Sequence, residues 1–229
     1  MKNPPATHSA LLSIWSSGQT QLPRVVRWLP FHERQGTRRQ DTLQHTYSLA
    51  IFTSVFLERV RPFLAHLDEG LIMQAILLHD HGEGELGRDV LHPNKTGNQD
   101  LAEYEAFRKR FQPVKEFRSL HEAYLLQYSL GDHHHFPDEA QIILRRLAKR
   151  KLSEARAFSA IEAFDYLLYA VEQYVELGNK DILAHVLGNV GPRLDNMARL
   201  VLGFAEGFWT HEFKDWCAEA AKGGNPALP

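Results

Sequence analysis

Four side chains in this sequence could hold a divalent cation: His45, His79, Asp80 and Asp165. His45 lies four residues before Leu49, on the helical face that also carries Phe52 and Phe56. His79 comes seven and three residues after Ile72 and Ile76, and Asp165 seven and four after Phe158 and Ile161. Three apolar stripes at helical spacing therefore each carry one group that hydrophobic packing would not choose. A carboxylate buried without a partner either costs free energy or takes up a proton. One divalent cation satisfies two imidazoles and two carboxylates together, and Zn, Mn, Fe, Co, Ni or Mg all accept such donors. Asp80, beside His79 where its helix ends, can turn to the same point. Four protein ligands leave positions on an octahedral ion for water or substrate, as metal-assisted hydrolysis requires. The same residues admit a second reading, in which the imidazoles are satisfied core histidines and Asp165 pairs with Arg145 or Arg146.

Helices must carry these groups, because period-2 alternation is weak and helical periodicity recurs along the chain. A helix is expected from about Asp41 to Arg61, stopped by Pro62, and a second from Asp68, its N-cap, to Leu78. Gly82, Gly84 and Gly87 should unravel the chain beyond that second helix. Leu101–Phe111, Phe117–Leu130 and Asp138 to about Lys151 come next. A long helix then runs from Ser153 to Leu177 and closes at Gly178-Asn179. Asp181 caps a short helix, and Pro192 suits the first turn of the last one, which carries Leu194, Met197, Val201, Phe204 and Phe208. The expected fold class is all-α, a single-domain helical bundle of seven or more helices. Residues 1–21 form a loosely ordered N-terminal segment, residues 22–222 the helical domain and residues 223–229 a flexible tail.

Composition narrows the partners. At 229 residues and 44% hydrophobic the chain can bury a full core. A net charge of −2 gives no footprint for a nucleic-acid polymer. The single cysteine, Cys217, excludes an intrachain disulfide framework and a thiolate zinc site. No apolar run approaches the ~20 residues of a membrane span, so a cytoplasmic protein acting on a small molecule is expected.

The order His … His-Asp … Asp at 45, 79-80 and 165 is that of the HD superfamily, all-helical metal-dependent phosphohydrolases. The segment AILLHDHGEGELGRDV resembles its 5′-deoxynucleotidase-like branch. There His-Asp ends a helix, a Glu stands three residues after the Asp, and a Gly/Asp pair comes soon after. Glu83 takes the Glu position and Asp89 the later Asp, with Arg88 intervening after Gly87. Upstream, LPRVVRWLPFHERQGTRRQDTLQHTYSLA resembles the same branch, with Arg27-Trp28 and then Arg38 seven residues before His45. Gln44 stands where many members carry an acidic residue. Downstream, Glu105-Ala106 and FSAIEAFDYLLYA continue the likeness, which spans about residues 22 to 178.

The resemblance implies a single HD-type domain with His45, His79, Asp80 and Asp165 as metal ligands. It implies Glu83 and Asp89 as catalytic residues, and Arg27, Trp28 and Arg38 lining the substrate pocket. The implied reaction is hydrolysis of a small phosphomonoester, a (deoxy)nucleoside 5′-monophosphate, by metal-activated water. A guanidinium suits phosphate, and an indole face suits a sugar or base. His121 with one of His133, His134 and His135 would instead make a second metal site. That is the pattern of dinuclear HD proteins, which are phosphodiesterases or di-iron oxygenases. A regulatory module that binds metal without turnover is a further alternative. Phe204, Phe208, Trp209 and Trp216 offer more aromatic surface than one helix face needs, as a homodimer would use.

Overall fold

The structure, a computed structural model, describes residues 6–28, 31, 36–88 and 95–228. They form an all-α bundle whose only sheet is a two-residue antiparallel pairing, β1 (Val26–Arg27) with β2 (Gln40–Asp41). The helices are α1 (Ala6–Thr20), α2 (Thr42–Val60), α3 (Glu69–Leu78), α4 (His81–Leu86), α5 (Gly97–Phe111) and α6 (Phe117–Leu125). They continue as α7 (Asp138–Arg150), α8 (Leu152–Leu177), α9 (Lys180–Leu200), α10 (Phe204–Gly207) and α11 (His211–Ala221).

α2 begins where its sequence says it should. Asp41 accepts from the Gln44 amide at 2.8 Å, and the Gln44 side chain accepts from the Asp41 amide at 3.1 Å. This capping box gives Gln44 a structural reason to be present. The inward face of α2 carries His45, Leu49, Phe56 and Val60, all buried. Asp68 caps α3 by accepting from the Leu71 amide at 3.0 Å, and Leu71, Ile72, Ala75 and Ile76 face the core. α8, buried along most of its length, lies at the centre against α2, α3 and α9, and ends at Gly178 in the left-handed conformation (φ 67°).

Three expectations are corrected. Gly82 and Gly84 do not unravel the chain but sit inside α4, which ends at Gly87 (φ 69°). A Cβ on Gly82 would lie 2.5 Å from the Glu103 carbonyl oxygen, and one on Gly84 2.6 Å from Leu22 Cδ2. These glycines permit close packing rather than a turn.

Pro192 lies inside α9 instead of opening a helix. Ile182, Leu183, Val186, Leu194 and Met197 form one buried stripe that crosses it. That burial outweighs the roughly 3 kcal/mol that an interior proline costs.

Phe204, Phe208, Trp209 and Trp216 are all buried within this chain, so they leave no aromatic surface for a partner. Phe204 and Phe208 pack with Phe56 and Phe164, and Phe52 joins the same cluster.

The N-terminal segment is helical as α1, tied down by Ser17 donating to Glu85 and Arg110 donating to Ser13. At the other end, Tyr174 donates to the Gly224 carbonyl at 2.6 Å and Trp216 to that of Pro226 at 3.1 Å. Among the described residues, no helix is long and apolar enough to cross a membrane.

Candidate metal centre

His45 enters from the first turn and a half of α2, and His79 and Asp80 from the junction of α3 with α4. Asp80 takes φ −90°, ψ 0°, which breaks the helix there and turns its carboxylate inward. Donor atoms of His45, His79 and Asp80 all lie within 4.8 Å of one another, and all three residues are buried. His45 Nε2 is 3.3 Å from His79 Nε2 and 3.5 Å from Asp80 Oδ2, while His79 Nε2 is 3.1 Å from Asp80 Oδ1.

The imidazole of His79 is fixed from behind. Its Nδ1 lies 2.7 Å from the Ile76 carbonyl oxygen, so Nδ1–H donates there and Nε2 is left with its lone pair. Burial also pushes the His79 pKa below its ordinary value, which favours the neutral ring a metal needs. Two ring nitrogens and a carboxylate thus converge in the dry interior. A cation is the partner that satisfies all of them, so the donor set fits a divalent ion.

Asp165 stands at the side of this group. Its Oδ2 is 3.1 Å from His45 Nδ1. The alternative partners Arg145 and Arg146 are not its neighbours in the ion pairs of the described residues, where Arg146 pairs with Glu122 at 2.9 Å.

Asp80 has a second counter-charge. The β1–β2 pairing puts Arg27 opposite Gln40, just before α2, and Arg27 Nη1 donates to Asp80 Oδ2 at 2.9 Å. Both side chains are buried, and the guanidinium also lies 5.4 Å from the centre of the Tyr166 ring. Burial pushes the Asp80 carboxyl up, but the surrounding positive charge, with the Arg27 guanidinium at 2.9 Å, outweighs it and holds the group well below the usual carboxylate range.

Trp28 comes next in a left-handed conformation (φ 62°), which costs a non-glycine residue of order 1 kcal/mol. Its indole stacks on Tyr169 at 4.7 Å, with Tyr166 and Phe31 at its edges. That face is therefore occupied by the fold. Arg38 is brought to the surface instead of to the cluster, where its side chain pairs with Glu172 at 2.9 Å and with Glu176.

Glu83 is buried on α4, one turn after Asp80, and accepts from Lys95 Nζ at 3.1 Å. Asp89 lies outside the described residues. His121 is not gathered with the triplet. It shares a hydrogen bond with the Tyr104 hydroxyl at 3.1 Å and stacks between Tyr104 and Phe117. Among the described residues the His45–His79–Asp80 group is the only one of its kind, and His134 is exposed.

A cleft of about 460 Å³ is lined by Lys95, Asp100, Gln127, His135, Glu162 and Arg193 among others. Gln127 donates to the His79 carbonyl at 3.2 Å, and Lys95 reaches Glu83, so the cleft adjoins both. Arg193 pairs with Glu162 at 2.6 Å and donates to Ser159 at 3.0 Å. Sequence reasoning passed over Lys95, Gln127 and Arg193. Only His135 carried a signal, as part of the triplet.

Comparisons with protein-family models, curated proteins and solved structures found no match.

Proposed function

We propose that this protein is a metal-dependent phosphohydrolase acting on a small phosphomonoester, with (deoxy)nucleoside 5′-monophosphates as the substrate class that its resemblance to the HD superfamily implies. The observation that carries the proposal is the buried convergence of His45, His79 and Asp80, with His79 held in the tautomer that presents Nε2. These three would hold the ion, and Asp165, against His45, is the carboxylate placed to complete the set. A divalent ion in such a site supplies Lewis acidity toward phosphoryl oxygens and lowers the pKa of water.

Each neighbouring residue then has a task of its own. Arg27 balances Asp80 and keeps it ionised. Glu83, buried one turn away, is suited to take the proton of the attacking water. The adjoining cleft has room for a leaving group of metabolite size, and its charged lining suits a polar one. The near-neutral charge of the chain favours such a substrate over a polymer.

The test is a hydrolysis screen of ribo- and deoxynucleoside 5′-monophosphates with Mn, Co, Ni, Zn or Mg, run beside metal analysis. Hydrolysis by the wild type, with Glu83→Gln keeping its metal but losing roughly 10²–10⁴ in kcat, is the expected result. A protein that binds one metal ion and hydrolyses no phosphomonoester would overturn the enzymatic reading in favour of a binding module.

A further inference from the structure

Lys95 is a half-buried cation between two buried carboxylates. Its Nζ lies 2.6 Å from Glu103 Oε2, 3.1 Å from Glu83 Oε1 and 3.9 Å from Asp100 Oδ1. Tyr128, from the turn after α6, donates to Glu103 Oε2 at 3.4 Å, and the Tyr124 hydroxyl lies 3.4 Å from that of Tyr128. The charged groups around the ammonium are thus Glu83 on α4, with Glu103 and Asp100 on α5. Asp80 acts on it electrostatically from the metal cluster. Burial favours the neutral amine, but the two glutamates prevail and hold Lys95 protonated well beyond its ordinary range. Burial pushes Glu103 up.

Burying two carboxylates against a half-buried ammonium is a poor route to stability, since well-packed apolar residues of the same volume do as well or better. Here the arrangement ties a functional candidate to a cleft: Lys95 lines the 460 Å³ space on one side and grips Glu83 on the other. A lysine has three donors, so it can hold one carboxylate without releasing the second. Glu103, steadied by Tyr128, anchors the ammonium, and the ammonium fixes Glu83. We propose that Lys95 is a positioning residue, which holds the Glu83 carboxylate in place at the edge of the cleft, with Glu103 as its anchor. The proposal rests on the reading of Glu83 as the group that handles the proton of water.

Two measurements on the full-length protein test it and separate its failure from that of the functional reading. The first is steady-state hydrolysis by the Mn-loaded wild type, Lys95→Met and Lys95→Arg. Lys95→Met is expected to lower kcat roughly tenfold to a hundredfold with KM nearly unchanged and metal content retained, and Lys95→Arg to restore part of the loss. The second is ¹³C NMR titration of the Glu83 carboxyl in the Zn-loaded protein, assigned with Glu83→Gln, which needs no turnover. The wild type gives the reference midpoint of that carboxyl. Lys95→Met should raise that midpoint by about one unit or more.

An active wild type whose kcat and Glu83 titration are both untouched by Lys95→Met overturns the positioning role and leaves the functional reading standing. An inactive wild type overturns the functional reading, and the NMR titration alone then decides whether Lys95 governs Glu83. If Lys95→Met does not fold, Lys95→Gln is titrated in its place, and a Glu83 midpoint that stays at the wild-type value refutes the proposal.

Discussion

Replacing His79 with alanine tests the metal centre most directly. The ring presents Nε2 at 3.3 Å from His45 Nε2 and 3.1 Å from Asp80 Oδ1, while its Nδ1 is spent on the Ile76 carbonyl. Two lone-pair donors and a carboxylate held this close repel one another unless a proton or cation lies among them. A bound ion should therefore stabilise the folded chain by mass action. At a free metal concentration a hundred times Kd the gain is about 2.7 kcal/mol, which for a chain of this size corresponds to roughly 5–10 °C in Tm. His79→Ala removes one of three converging donors, and the metal-dependent shift should vanish. Asp165→Ala removes the carboxylate 3.1 Å from His45 Nδ1 and should weaken binding by at least about tenfold. The assay is thermal unfolding of chelator-stripped protein across a titration of Zn or Mn, with far-ultraviolet circular dichroism checking that each variant keeps its helices. A His79→Ala protein that shifts as far as the wild type would refute the assignment of this cluster. So would a wild type that no divalent ion stabilises.

Three further outcomes are expected. Gly82→Ala should destabilise the protein by roughly 1–3 kcal/mol in urea unfolding, because the added methyl would meet the Glu103 carbonyl at 2.5 Å and the Tyr124 hydroxyl at 2.6 Å; a neutral result would mean that α4 and α5 are not so close. Arg27→Met should cost about 3–5 kcal/mol in chelator and less with saturating metal, since the cation replaces the guanidinium as the counter-charge of Asp80; an equal loss in both conditions would contradict this. The metal-free protein should lose stability as pH falls from about 6.5 toward 4. Burial lowers the pKa of His81 to about 4, below the unfolded value near 6.5, so across that window the unfolded chain binds more protons. The His81 share is on the order of 3 kcal/mol. Since its ring packs edge-on to Phe111 at 5.2 Å, His81→Phe should flatten the pH dependence of the urea midpoint, and an unchanged slope would exclude His81 as a source.

Much of this was legible in the residues because local rules and burial agree over α2, α3 and α8. Each has an apolar stripe of the right period and a recognisable boundary, such as the Asp41–Gln44 box, the Asp68 cap or Gly178. The same stripes exposed His45, His79 and Asp165 as misfits. Failures fell where one residue type serves two purposes. Glycine at 82 and 84 signals a turn by propensity, but here it admits a neighbouring backbone and side chain, information held in α5 and in Leu22 and not in the local sequence. Pro192 signals a boundary, yet packing along α8 overrides it. Lys95 could not be read at all: a lone lysine before a helix is usually solvated, and only the fold shows two glutamates, 12 residues before it and 8 after, closing on it.

The α3–α4 junction shows how a break in regular structure can supply a ligand pair. A helix end leaves carbonyl groups in its last turn in need of donors, and a carboxylate placed there would normally be driven outward to water. Here His79 answers the first demand by giving Nδ1–H to the Ile76 carbonyl, and that bond is what aims Nε2 at His45. Asp80 meets the second through Arg27, which the short β1–β2 pairing delivers to the start of α2. Local satisfaction of the backbone and orientation of the donors are thus one set of contacts. Substitutions at His79 or Arg27 are therefore expected to act on folding and on metal affinity together, whereas Glu83, one turn further on, and Lys95, which donates to it, can be changed to separate chemistry from assembly.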